Sequence, residues 1–160
     1  MKHLLIYLLS GLALFLSACA TKPDYLRPPA APAAKAPVIH RQVMVETSRG
    51  SMIGDLICRY DARGRTEVLF LKGPGAPLFR AYGTQDNMRL ESAGGRSWQG
   101  NATNAPKVIY AIANVGNALA AWKTNPKAES DYWEITDPER PIITFPKSGD
   151  RFTFSPAATE

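Results

Sequence analysis

The stretch from Met52 to Tyr60, MIGDLICRY, decides the fold class because its side chains fall into two alternating sets. Successive side chains of a β-strand point to opposite faces of the sheet. One face would carry Met52, Gly54, Leu56, Cys58 and Tyr60, and the other Ile53, Asp55, Ile57 and Arg59. The stretch therefore predicts a strand that holds Cys58 as a small buried hydrophobe, with a reactive or intermolecular thiol as the alternative.

The same period of two recurs along the chain. It is found in RQVMVETS (41–48), NMRLES (87–92) and DRFTF (150–154). Turn signals separate the strands at short intervals, such as SRGS from Ser48, DARG from Asp61 and SAGG from Ser92. A parallel crossover needs a dozen or more residues, so links this short predict an antiparallel meander in the first half of the domain.

One helix is predicted after the meander. It should begin near NAPK, with Asn104 as its cap and Pro106 in its first turn, and should run to about Trp122. Spacings of four, three, four and three place Val108, Ile112, Val115, Leu119 and Trp122 on one face. The opposite side is small and nearly uncharged, which indicates a second closely packed surface; it carries Ala111, Asn114, Asn117, Ala118 and Ala121.

Three more strands are predicted beyond the helix, in DYWEITD (131–137), RPIITFP (140–146) and DRFTFSP (150–156), as a continuation of the same sheet. The fold class is therefore mainly β with one principal helix (α+β). The antiparallel meander would form a curved sheet or unclosed barrel, with the helix packed against its concave side. The aromatic residues of DYWEITD would belong to the core or, alternatively, offer a stacking platform for a sugar or peptide.

The N-terminus has the pattern of an export signal. Lys2 precedes thirteen mostly apolar residues, Leu4 to Leu16, which is shorter than the roughly 20 residues that span a bilayer. The following Leu16-Ser17-Ala18-Cys19 resembles the lipobox of bacterial lipoproteins, whereas an ordinary signal peptide would leave the cysteine a coincidence. The resemblance implies a signal peptide over 1–18 and acylation of Cys19, with palmitate among the attached chains. Ala20, where aspartate would retain the product in the inner membrane, implies the outer membrane facing the periplasm.

Composition divides the remaining chain into a tether and a domain. Residues 19–40 hold the cysteine and a Pro/Ala-rich stretch typical of an extended linker, and residues 41–160 suffice for one domain with one core. The formal net charge of the whole chain is +5, but residues 41–160 carry fifteen basic and thirteen acidic side chains. Most of the basic excess lies outside the domain, which argues against a nucleic-acid partner.

The meander followed by a helix and final strands resembles the LolA/LolB-like fold of lipoprotein carriers and receptors. The stretches GAPLFRAYG (75–83) and MRLESAGGRSW (88–98) look like the strand pairs that line the cavity in that family. The resemblance implies a hydrophobic sheet cavity for lipid, acyl chains or lipoproteins, with arginines near its rim. Its candidate wall residues, for each of which core packing is the alternative, are Leu56, Leu71, Leu78, Tyr82, Met88, Leu90, Val108, Ile112, Val115, Leu119 and Phe152.

Sequence motifs give no support to an enzyme. His40 is the single histidine after Cys19, and H-E-x-x-H, G-x-S-x-G, P-loop and C-x-x-C patterns are missing from the sequence. We therefore expect a non-enzymatic protein without a metal or cofactor. Two functions remain open: a lipid-binding module with a hollow sheet, or an interaction lipoprotein whose core is filled and whose surface docks an envelope protein complex.

Overall fold

A single antiparallel sheet contains all the strands of the computed structural model, which describes residues 27–73, 77–126, 130–137 and 139–156. The nine strands in these ranges are β1 Val38–Thr47, β2 Gly50–Tyr60, β3 Thr66–Leu71, β4 Pro77–Gly83, β5 Met88–Ser92, β6 Ser97–Gly100, β7 Glu134–Thr136, β8 Ile142–Phe145 and β9 Asp150–Phe154.

The sheet order is β6-β5-β4-β3-β2-β1-β9-β8-β7, so the predicted meander from β1 to β6 is confirmed. The predicted continuation is confirmed too, because β9 pairs with β1 and joins β7 and β8 to the same sheet. Strands β6 and β7 are the two edges, and the sheet is therefore open rather than closed into a barrel. In β2, Gly54, Leu56 and Cys58 are buried on the face that MIGDLICRY predicts.

The helix, α1, runs from Tyr110 to Thr124. The prediction that Asn104 caps it with Pro106 in its first turn is wrong. Two 3-10 turns come first, Ala102–Asn104, capped by the Asn101 side chain, and Lys107–Ile109. The physical reason is Pro106: a residue before proline avoids the helical region, and both Ala105 and Pro106 are extended, with ψ of 145° and 144°.

Both predicted sides of α1 are largely buried. On the first, Val115, Leu119 and Trp122 are at most 5% exposed, whereas Val108, in the turn before the helix, is 64% exposed. On the second, Ala111, Asn114 and Ala118 are buried as predicted.

The helix lies very close to β3. A Cβ added to Gly116 would stand 2.8 Å from Val68 Cγ2 and 2.9 Å from Thr66 Oγ1, so no larger residue fits there without a shift. The Cys58 thiol on β2 lies 3.9 Å from the Gly116 carbonyl oxygen. One face of the sheet and α1 therefore share a core, which includes Val43, Phe70, Phe145 and Phe154 at 1% exposure or less.

The two ends of the sheet hold different turns. The first, which we call the cleft end, holds the β1–β2 and β8–β9 hairpins and the start of α1. The second, the polar end, holds the β2–β3 and β4–β5 turns and the later half of α1.

Part of the predicted tether follows the domain at its polar end. The Arg27 carbonyl oxygen accepts hydrogen bonds from Asn87 Nδ2 at 3.3 Å and Gln99 Nε2 at 2.7 Å. Further along, Pro32 is buried and the Pro37 carbonyl oxygen accepts a bond from the Tyr60 backbone N–H. Residues 27 to 37 thus contact the sheet, while Cys19 and the predicted signal lie outside the described residues.

The sheet face away from α1 is polar and ionic across β2 to β5. Glu67, only 6% exposed, accepts bonds to Oε1 from Arg80 Nε at 2.9 Å and Nη2 at 2.6 Å, and Arg59 Nε lies 3.6 Å from its Oε2. The Arg80 guanidinium also lies over the Tyr82 ring, 4.4 Å from its centroid. This network satisfies a nearly buried carboxylate, which would otherwise be costly.

Candidate functional site

An open cleft of about 580 Å³ lies at the cleft end, between the start of α1 and the sheet. Small-molecule sites in proteins usually fall between roughly 300 and 1,000 Å³, so a small ligand fits this volume. Most of the lining is apolar. The lining residues are Val45, Thr47, Ser48, Arg49, Met52, Leu78, Phe79, Lys107, Val108, Ala111, Ile112, Ser148, Asp150 and Phe152.

The late start of α1 leaves apolar side chains on the wall of this cleft. Val108 lies in the 3-10 turn before the helix and is 64% exposed, and Ile112 in the first helical turn is half-buried. Tyr110, between them, turns into the core, where its ring meets Phe145 edge to face at 6.5 Å. Tyr110 is thus part of the core, while Val108 and Ile112 on either side of it line the cleft.

Loop contacts hold this end of the helix in place. Lys147 Nζ donates a hydrogen bond to the Thr103 carbonyl oxygen at 2.9 Å and lies 4.5 Å from the centroid of the Tyr110 ring. The β8–β9 hairpin, to which Lys147 belongs, is thus tied to the turns that precede α1. Ser148 and Asp150 of that hairpin line the cleft. The Lys147 contacts therefore join the hairpin wall of the cleft to the wall formed by the turns before α1.

The cleft carries more positive than negative charge. Arg49 and Lys107 are cationic and Asp150 is the one carboxylate among the lining residues. Within the described ranges none of the three takes part in an ion pair. An apolar cavity beside two unpaired cations suits an apolar chain that ends in an acidic group.

The structure brings four of the predicted wall residues into this cleft, namely Leu78, Val108, Ile112 and Phe152. Five others lie in the core between the sheet and α1, at 6% exposure or less: Leu56, Met88, Leu90, Val115 and Leu119. The remaining two, Leu71 and Tyr82, alternate with the buried Phe70 and Ala81 and so lie on the face away from α1. The predicted set is therefore divided among three environments.

Several cleft residues are not among the wall residues predicted from the sequence, including Met52, Phe79, Arg49 and Lys107. Phe79 stacks on Phe70 at a centroid distance of 5.2 Å and lines the cleft. Its neighbour Leu78 was predicted as a wall residue and Phe79 was not. Both are apolar, so the sequence does not show which of the two points inward. Arg49 lies in the SRGS turn. That pattern predicts the tip of a hairpin, but it does not show that the tip lies beside the start of α1.

Cys58 is buried, as MIGDLICRY predicts. Burial, helped by the negative charge of Glu67, raises the pKa of its thiol from 9.0 to about 12. The thiol is therefore protonated at neutral pH and is a poor nucleophile.

Two further properties concern the described part of the chain. None of its helices combines the length and apolar character that crossing a bilayer requires. In the same ranges, no three His, Cys, Asp or Glu side chains gather closely enough to hold a metal ion.

Comparison with protein-family models finds no family that matches this chain, and comparison with curated proteins finds no match either.

Proposed function

We propose that this protein is a non-enzymatic lipoprotein of the cell envelope that binds one acyl chain in the cleft between α1 and the sheet. In this proposal Cys19 carries the lipid anchor, and the domain faces the periplasm from the outer membrane. The sheet curves around α1, which packs on its concave side in the manner of LolA/LolB-like proteins. The apolar cleft of about 580 Å³ is the observation that carries the proposal.

The chemistry of the walls supports an acyl ligand. Burying apolar surface is worth roughly 25 cal/mol per Å², or about 0.8 kcal/mol for each methylene. The side chains that would gain this contact are Val45, Met52, Leu78, Phe79, Val108 and Ile112. Arg49 and Lys107 on the same walls would meet a carboxylate or phosphate at the end of the chain.

The attachment of the tether supports an orientation for the domain. Arg27 is held at the polar end, and seven residues separate it from Cys19. An extended chain spans at most about 3.6 Å per residue, so the anchor lies within roughly 30 Å of Arg27. The polar end would then face the membrane that holds the anchor. The cleft would open away from that membrane, toward the periplasm.

Mass spectrometry tests the acyl-binding proposal. A parent variant that lacks residues 1–19, purified without detergent, should carry non-covalent lipid with an acyl chain. Met52→Asp places a carboxylate on the cleft wall and should abolish the bound lipid. Ile53→Asp is the matched control, because this neighbour in β2 is 59% exposed and belongs to the other face. Equal lipid in both variants, or none in the parent, contradicts the proposal.

The anchor has its own test. The mature protein should begin at Cys19 with acyl groups on that residue, and radioactive palmitate should label the parent chain but not Cys19→Ala. A mature product that retains residues 1–18, or a free thiol at Cys19, contradicts the anchor.

A second function is favoured by the packing of the domain. Most of the space between α1 and the sheet is filled by fully buried side chains, and large apolar residues are exposed on the opposite face, Val38 at 56% and Ile53 at 59%. In this alternative the protein docks an envelope protein complex through that face. Photo-crosslinking from position 53 should then capture one specific partner, and Ile53→Asp should abolish the crosslinked complex while Met52→Asp retains it.

A further inference from the structure

We propose that the polar end of the molecule holds a second binding site, which takes a neutral sugar ring. This site is separate from the acyl cleft and does not depend on the proposed function. It is a pocket of about 520 Å³ between the β2–β3 turn, the β4–β5 turn and the later half of α1. Its lining residues are Asp61, Arg63, Gly64, Thr66, Thr84, Gln85, Asp86, Asn117, Ala120, Ala121 and Trp133.

Two lining residues carry buried N–H groups that have no acceptor within the described ranges, Asn117 Nδ2 and Trp133 Nε1. The whole Trp133 residue is 7% exposed. A buried donor without a partner typically costs about 1–3 kcal/mol, and native proteins hold few of them. Two such donors on the walls of one pocket indicate that an acceptor belongs there.

Two carboxylates also line the pocket. Asp61 is fixed by Arg65, whose Nε lies 2.7 Å from Oδ2, and it also accepts backbone N–H groups from Arg63 and Arg65. Burial alone would raise the pKa of the Asp61 carboxyl, but these hydrogen bonds and the Arg65 charge outweigh it and lower the pKa below 3.8. Asp61 is therefore ionised and held in one orientation, and these groups already occupy its acceptor sites. Asp86 also lines the pocket; within the described residues it accepts one bond, from Asn101 Nδ2 at 3.2 Å, and has acceptor sites left for a ligand.

This arrangement selects among ligand classes. The lining carries two carboxylates, Asp61 and Asp86, and one cation, Arg63, so its net charge disfavours an anion. A cation would leave both N–H donors unpaired. A sugar ring has hydroxyl groups around its whole perimeter that both donate and accept hydrogen bonds. The pocket has polar groups on the β2–β3 turn, the β4–β5 turn and α1, which suits such a ligand. Small residues leave room for the ring, namely Gly64, Ala120 and Ala121. The Trp133 indole adds an amphipathic surface.

The indole N–H signals of the three tryptophans provide a direct measurement. The full-length protein in detergent is labelled with ¹⁵N and titrated with glucose, mannose, N-acetylglucosamine and the N-acetylglucosamine trimer. We expect a saturable shift of the Trp133 signal with at least one sugar, while the Trp98 signal from β6 stays in place. Trp98→Phe is the matched control for Trp133→Phe, because both remove one indole N–H.

Calorimetry measures the contribution of each donor. Trp133→Phe removes one N–H and Asn117→Asp replaces the other by an acceptor, and each should weaken sugar binding about tenfold, or 1.4 kcal/mol. Trp98→Phe should leave the affinity unchanged.

Three results overturn the proposal. The first is the absence of any Trp133 shift with all four sugars at about 100 mM, which would exclude even millimolar affinity. The second is a shift produced by a blocked tripeptide amide instead, which would assign the pocket to a peptide. The third is a crystal structure grown with the sugars in which only water reaches Asn117 and Trp133.

Discussion

The two ends of α1 lie against the same sheet but face different chemistry. At its start, a proline delays the helix, and Val108 and Ile112 remain on the wall of an apolar cleft. At its later half, small residues leave space for a pocket that is lined by two carboxylates, an arginine, two amides and an indole. The contrast shows that one open sheet can border an apolar cleft and a polar pocket when the helix packed on it is buried along its middle.

The largest loss of stability should come from a substitution at Gly116, where the middle of α1 lies against β3. Gly116→Val would push a side chain into Val68 and Thr66, and we expect a loss of about 3 kcal/mol or more in the free energy of unfolding. Both sites should weaken together, because the spacing of α1 from β3 sets both. Urea unfolding measures the first effect and ligand titration the second.

Gly94→Ala serves as the control for this substitution, since the nearest atom to its added Cβ is 4.0 Å away. It should change stability by less than about 0.5 kcal/mol. A fully stable Gly116→Val protein would show that α1 is free to move from the sheet.

Loss of the Glu67 carboxylate should have the next largest effect. Glu67→Ala leaves Arg80 and Arg59 without their shared partner, although both are partly exposed and regain some solvation. We expect destabilisation of about 1–3 kcal/mol by thermal unfolding, with both binding sites intact. Loss of either site in a folded Glu67→Ala protein would mean that this outer face is coupled to them.

A substitution at the rim should separate the cleft from the polar pocket. Val108→Asp changes a residue that is 64% exposed, so stability should stay within about 0.5 kcal/mol. Binding of a fluorescent C16 fatty acid should fall about tenfold or more, because the carboxylate enters the apolar wall and repels the acidic end of the ligand. Sugar binding at the other end should not change.

Val38→Asp is the matched control, since Val38 is 56% exposed and lies outside the cleft. It should leave both affinities unchanged. If it weakens fatty-acid binding as much as Val108→Asp does, the ligand is not in the cleft.

The smallest effect should be a pH dependence at the polar end. Because the pKa of Asp61 is lowered in the folded state, its contribution to stability is present above its ordinary pKa of 3.8 and disappears as the pH falls through the folded-state value. Asp61→Asn removes this contribution at every pH. The Tm difference between the parent and Asp61→Asn should therefore shrink on acidification below 3.8, and a constant difference would contradict it.

Much of the fold followed from periodicity. Alternation in MIGDLICRY and NMRLES identified strands, and short turns required antiparallel neighbours. The helix boundary was less predictable, because Asn104 and Pro106 have the residue types of a helix start but the backbone there is extended. Local composition did not reveal that conformation.

The site was harder to predict than the strands, for a physical reason. In EVLFL every residue from Val68 to Leu71 is apolar, so alternation does not indicate whether Phe70 or Leu71 faces α1. Likewise, the side chains of Val115 and Leu119 suit a core or a cavity equally well. Which of the two they form depends on distances between distant elements, and a single sequence does not contain these.

The pairing of β9 with β1 has a consequence for the order of assembly. Strand β1 is synthesised before the other described strands but lies in the interior of the sheet. One of its edges pairs with β9, which is synthesised more than a hundred residues later. Until that partner arrives, β1 presents an unpaired edge that can bind strands of other molecules. Such long-range closure is slow, so a newly made chain should need protection from aggregation until its last strand is free.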